Sequence, residues 1–188
     1  MVEGRNRKNK YELIMILSFK TQINGKPTLF PEKIFAGLIK NKIIPASKEF
    51  FECYRMPSVI ALQPKIHTIR EDNSSRWKPG MMIDFFIGTR TKNMFRFAPR
   101  THCISVQEIF MTRRGSDLEI TISKEHSYIG GDDFYLYYEA KELLAINDGF
   151  DSYSDFVKYF YDIIEENGKK TGNYWFKGKI IHWTDFKY

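Results

Sequence analysis

A chain of 188 residues with 43% hydrophobic and 16% aromatic side chains can bury a sizeable core, which excludes a disordered polypeptide. Apolar runs such as Leu13 to Leu17 are far too short to span a bilayer, and the basic N-terminus lacks the apolar stretch of a signal peptide. These features predict a cytoplasmic protein with no membrane partner, and the formal charge of +6 permits nucleic-acid binding without establishing it.

Half of that charge sits at one end. Within residues 1–10, Arg5, Arg7, Lys8 and Lys10 against Glu3 give a net +3, which leaves +3 for the remainder. This stretch reads as a disordered basic arm, either solvated or following a polyanion. Residues 11–188 read as a single domain. Cys53 and Cys103 make no disulfide framework and are expected as free thiols.

In chain order, the all-apolar run Leu13 to Leu17 predicts a buried central strand. Asn24-Gly25-Lys26-Pro27 predicts a turn. Pro31 at a first helical position, with Ile34, Phe35, Leu38 and Ile39 at helical spacing, predicts a helix from Pro31 to Lys40. Residues 41–64 carry Pro45, Pro57 and Pro64 and are ambiguous, with a short helix near Phe50 and Phe51. After residues 65–70 come a polar loop, a Pro79-Gly80 turn and a strand from Met81 to Ile87. A basic segment through Arg90, Lys92, Arg96 and Arg100 leads to a strand from His102 to Phe110. Arg113 to Asp117 reads as a hairpin loop, with Leu118 to Ser123 as the return strand. Leu136, Ala140, Leu143 and Leu144 favour a helix that Asn147-Asp148-Gly149 stops. Ser152 to Asp155 resembles a capping box for a helix ending near Gly168. Residues 177–185 form the last strand. Short strands with a few interspersed helices make the fold class α+β, a small curved sheet or barrel with helices at its ends.

The chemistry concentrates in Lys65-Ile66-His67-Thr68-Ile69-Arg70. In a regular strand Lys65, His67 and Ile69 share one face and Thr68 and Arg70 the other. Lys65 and Thr68 can then meet only through a local irregularity, for which Pro64 provides a start. An ordinary edge strand with solvated cations fits the six residues equally well. His67, His102, His126 and His182 are scattered and neither cysteine has a partner at ligand spacing, so no metal and no cofactor are expected. No glycine-rich phosphate loop follows a strand. Lys65, with His67 and Arg70 nearby, is a candidate for a lysine of lowered pKa. Arg70, Arg76, Lys78 and Arg90 are candidates for phosphate contacts, with Trp77 and nearby phenylalanines as stacking surfaces. The opposite reading puts Trp77 in the core and the cations in solvent.

Three segments together resemble one family. Lys65-x-x-Thr68-Ile69-Arg70, then Trp77-Lys78-Pro79-Gly80 before a strand, is similar to the ASCH domain, a relative of the PUA domain. Met81 stands where that family commonly has an acidic residue. Asn147-Asp148-Gly149-Phe150-x-Ser152-x-x-Asp155-Phe156 resembles the family's E-G-F-x-S-x-x-E-F junction. Gly178 to Trp183 resembles the closing strand of its larger, phage-associated members. The resemblance implies a PUA-like mixed β pseudo-barrel whose short helices flank a cleft, and RNA or a modified nucleoside as partner. Some small members of the family hydrolyse the N4-acyl amide of acetylated cytidine with a lysine, a threonine and a glutamate. Carried over, Lys65 and Thr68 match the first two, and Asp148 stands nearest the third. His67 becomes a wall residue of the cleft, beside Arg70, Arg76, Trp77, Lys78 and Arg90.

Overall fold

The computed structural model describes residues 13–123 and 133–188. The basic arm and His126 lie outside the described residues. Among the described residues the architecture is α+β: four helices set against two principal sheets and a small hairpin.

The first sheet is built on β1 (Ile14–Phe19) and β5 (Met82–Ile87), which run parallel, with β6 (Phe95–Arg96) and β7 (Thr101–His102) both antiparallel to β5. The second is antiparallel, in the order β10 (Asp133–Tyr135), β9 (Asp117–Ser123), β8 (Ser105–Arg114), β11 (Trp175–His182), β4 (His67–Arg70). A hairpin of β2 (Gln22–Ile23) and β3 (Lys26–Pro27) turns through Asn24 and Gly25, both at positive φ (51° and 76°). That is the backbone a tight two-residue hairpin loop requires. Among the described residues no strand pairing joins the two sheets into a closed barrel.

Aromatic packing joins the sheets instead. Trp183, just beyond β11, lies edge-on to Phe85 of β5 at 5.2 Å and to Phe19 of β1 at 6.4 Å. One hydrophobic cluster takes in these rings, Ile34, Phe35 and Leu38 of α1 (Phe30–Lys40), and Phe156, Phe160 and Ile164 of α4 (Tyr153–Thr171). Ser152 caps α4, accepting from the Asp155 amide at 3.1 Å and donating its hydroxyl to the Asp155 carboxylate at 2.8 Å. Gly172, at φ 80°, ends α4 four residues later than the spacing predicts. The short helix in the ambiguous region is α2 (Lys48–Cys53), and α3 (Tyr138–Asn147) precedes α4. No described helix is long and apolar enough to cross a membrane.

Two expectations are corrected. The apolar run from Leu13 is not a central strand: among the described residues β1 pairs only with β5. Leu17 and Phe19 point into the core, while Ile14 and Ile16 on the other face are about half exposed. The strand expected over His102 to Phe110 is two strands. At the break the Cys103 amide donates to Met81 O (2.7 Å) and the Ile104 amide to His182 O (2.8 Å), so the chain leaves one sheet and enters the other there.

Candidate functional site

Local structure at residues 64–70 is irregular where Lys65 needs it to be. Regular strand begins only at His67, and β4 is the edge of its sheet. The backbone just before it is held from elsewhere: the Lys65 amide donates to Lys33 O in the first turn of α1 (2.9 Å), and the Ile66 amide to Asn147 O at the end of α3 (3.0 Å). Approach to α1 is close. A Cβ on Gly37 would lie 2.5 Å from Lys65 O, so only glycine fits at that crossing.

The edge of β4 facing away from β11 is covered by the α3–α4 junction. Asp148 Oδ1 accepts from the Ile69 amide at 3.1 Å and from Lys65 Nζ at 2.7 Å. The same ammonium also donates to the Asp148 carbonyl. Lys65 is 1% exposed and Asp148 5%, so 83 residues of sequence separate the partners of a buried ion pair. The pair fits a small sub-site with aromatic walls: Lys65 Nζ lies 4.8 Å from the Phe30 ring centre and 5.9 Å from that of Phe19. Arg70 also lies over Phe19, at 5.0 Å, and donates to Ser18 O at 2.8 Å. Thr68, buried at 3% exposure, shares Arg70's face of β4 by alternation. Lys65 precedes the regular strand, and its ammonium reaches the Phe19 ring that Arg70 also covers.

Burial governs the electrostatics. Loss of solvent pushes the Lys65 ammonium down to about 8, although Asp148 opposes the shift, and it pushes the Asp148 carboxyl up against the pull of Lys65. His67, fully buried, is held well below its ordinary range by burial and then by the charges of His182 and Lys65.

A cavity of about 200 Å³ opens beside the pair, lined by Thr28, Phe30, Gly149, Phe150, Lys158 and Tyr159 among others. Phe30 and Gly149 form the partition. At φ 90° Gly149 has no Cβ, and one placed there would lie 2.8 Å from Lys65 Cδ and 3.0 Å from the Phe30 ring. None of the candidate site residues lines this cavity directly, and none lines a larger groove of about 800 Å³ bordered by Arg114, Asp117 and Tyr135; Phe30 and Gly149, which touch Lys65, connect the smaller one to the pair. The larger groove has no such link to a buried charge pair, and we assign the candidate site to the smaller cavity.

The remaining candidates spread out. His67 is fully buried, so it stands behind the site rather than as an accessible wall. Trp77 is buried, packed in the core with no face open for stacking. Arg76 is exposed and pairs with Asp72 at 3.5 Å, while Lys78 and Arg90 are exposed on separate loops. Sequence reasoning missed Lys33. This lysine is buried, donates to Gly149 O (2.8 Å) and to Asp151 Oδ1 (2.5 Å), and so ties α1 to the junction that carries Asp148. A cation in the first turn of a helix, where the dipole disfavours it, is the signal that marks it. It also missed Tyr188, whose hydroxyl meets His67 Nε2 at 2.8 Å and Asn147 Nδ2 at 3.1 Å. Comparison of the chain with protein-family models, with curated proteins and with solved structures found no match.

Proposed function

We propose that this chain is an ASCH-type protein of PUA-like fold that binds a modified nucleoside beside the Lys65–Asp148 pair and hydrolyses its N4-acyl amide. One observation carries the reading. Lys65 and Asp148, matched to the family's lysine and acidic residue by motif alone, meet at 2.7 Å in a buried site bordering an aromatic-lined cavity. A solvated phosphate-binding lysine has no need of such burial, whereas a lysine brought to about 8 supplies free amine near neutral pH.

In the reaction, the Thr68 hydroxyl attacks the acyl carbonyl and Lys65 accepts its proton. Asp148 orients the ammonium so formed, which returns the proton to the departing cytosine amine as the C–N bond breaks. Water then hydrolyses the acyl ester on Thr68. Asp148 is one methylene shorter than the family's glutamate. The main-chain contact of Lys65 with the Asp148 carbonyl supports the same placement with a shorter side chain.

The exposed cations Arg76, Lys78 and Arg90 favour a nucleoside presented within RNA. Incubation with N4-acetylcytidine, free and within a single-stranded oligonucleotide, tests both parts. Release of cytidine that disappears in Lys65→Ala and Thr68→Ala supports hydrolysis. Absence of release from both substrates at stoichiometric enzyme overturns it.

A further inference from the structure

Next to Asp148 lies a polar chain that the proposed reaction does not use. Asn147 Nδ2 carries only hydrogens, so at 3.1 Å the Tyr188 oxygen accepts from it. The tyrosine's own hydrogen is then left for His67 Nε2, 2.8 Å away, which accepts. A neutral imidazole that accepts at Nε2 carries its proton at Nδ1. That Nδ1 is buried, has no hydrogen-bond partner among the described residues, and lies 3.8 Å from Asp148 Oδ1. A buried N–H without a partner, its nitrogen about 0.6 Å beyond hydrogen-bond reach of a carboxylate oxygen, calls for an explanation.

Asp148 Oδ1 already takes two donors, the Lys65 ammonium and the Ile69 amide. If Lys65 turns to a ligand, one of those positions empties and a buried carboxylate is left short of a donor. We propose that His67 is the positioning residue that fills it: an Nδ1-protonated imidazole, backed by Tyr188 and Asn147, that closes on Asp148 when Lys65 leaves. His67 thereby keeps Asp148 in place while Lys65 moves a proton, and Lys65 can leave and return without stranding the carboxylate. The backing is rigid. The Tyr188 main chain is clasped by Gln107, whose side chain accepts from the Tyr188 amide at 3.0 Å and donates to its carbonyl at 3.1 Å. Rings of His182 at 5.3 Å and Tyr188 at 5.5 Å pack on the imidazole.

The inference rests on Lys65–Asp148 being the working pair, but its first test does not require activity. Long-range proton–nitrogen correlation on protein labelled at histidine nitrogens reads the tautomer of His67 directly. The expected result is the Nδ1–H form in the wild type; the Nε2–H form, or an imidazolium at neutral pH, overturns the proposal. In Lys65→Met, which mimics departure of the ammonium, a crystal structure should show Nδ1 to Oδ1 shortened from 3.8 Å to about 2.9 Å, with the Nδ1 proton shifted downfield. An unchanged separation overturns it, and the wild-type tautomer still decides the matter if that variant does not fold. With N4-acetylcytidine as probe, His67→Phe should lower kcat by about 10²-fold at unchanged KM, the loss expected from about 1 Å of misplacement, and His67→Gln should restore part of it. A wild type inactive on this substrate would sink the hydrolase reading alone, because tautomer and distance are read without turnover.

Discussion

Replacing Lys65 with methionine is the perturbation whose size the structure fixes best. The substitution keeps most of the side-chain volume and removes the ammonium from Asp148 Oδ1, whose other donor in the wild-type geometry, among the described residues, is the Ile69 amide. Removing one partner of a buried ion pair costs about 3–5 kcal/mol, because the remaining charge stays buried without compensation. For a domain of this size that is a fall of about 10–15 °C in Tm. Closure of His67 would supply a neutral donor but no charge, so the carboxyl reaches neutrality by taking up a proton. Burial already raises its pKa in the wild type, and loss of Lys65 raises it further. A carboxyl whose folded pKa lies above its unfolded value of about 3.9 favours the folded state at low pH and loses that contribution as pH rises, at about 1.4 kcal/mol per unit. Urea denaturation of Lys65→Met should therefore show a deficit that is large at pH 8 and mostly gone near pH 5. The double variant Lys65→Met/Asp148→Asn should recover much of the loss at pH 8. A deficit independent of pH, or a double variant as unstable as the single one at pH 8, would refute the buried pair as described.

Other predictions use the same surroundings. In the wild type, the Lys65 side chain should titrate near pH 8 by carbon or nitrogen NMR, against about 10.4 for an ordinary lysine; a value above 10 contradicts the burial argument. Because this folded pKa is depressed, the unfolded chain holds the proton longer, so stability should rise between about pH 8 and 10.5, a rise absent from Lys65→Met. Gly149→Ala should cost about 2 kcal/mol or more, from the left-handed backbone and the overlap with Lys65 and Phe30; a melting temperature within 1–2 °C of wild type speaks against that close approach. Affinity for single-stranded RNA should fall with salt, and Arg76→Ala or Lys78→Ala should each reduce the slope by about one; salt-independent binding removes RNA from the account.

Much of the fold is legible in the sequence because it rests on local signals. Pro31 and the spacing of Ile34, Phe35 and Leu38 mark α1, Ser152 marks the start of α4, and Gly115 at φ 62° marks the β8–β9 hairpin. What escapes is decided by tertiary pairing. Nothing local tells Ile14 and Ile16 that one face of their strand stays open, or tells Cys103 and Ile104 that the chain changes sheets between them. The site follows the same division. Lys65 and Thr68 stand out as a cluster, and the expectation of an irregular start to the strand comes from asking how the two could meet. The motif points to Asp148, while its contact with Lys65 depends on Lys33, Gly37 and Gly149 fitting α1 against the α3–α4 junction. The Tyr188–His67 contact spans 121 residues, and no periodicity announces it.

The most direct measurement is cytidine release from N4-acetylcytidine by wild type, Lys65→Ala, Thr68→Ala and Asp148→Asn. Lys48→Ala, a change at a side chain that is 83% exposed, serves as control. The account predicts turnover in wild type and control, rising as pH approaches 8, and a loss of at least about 10²-fold in each of the other three. Turnover retained in Lys65→Ala, or no release by folded wild type at stoichiometric concentration, would contradict it.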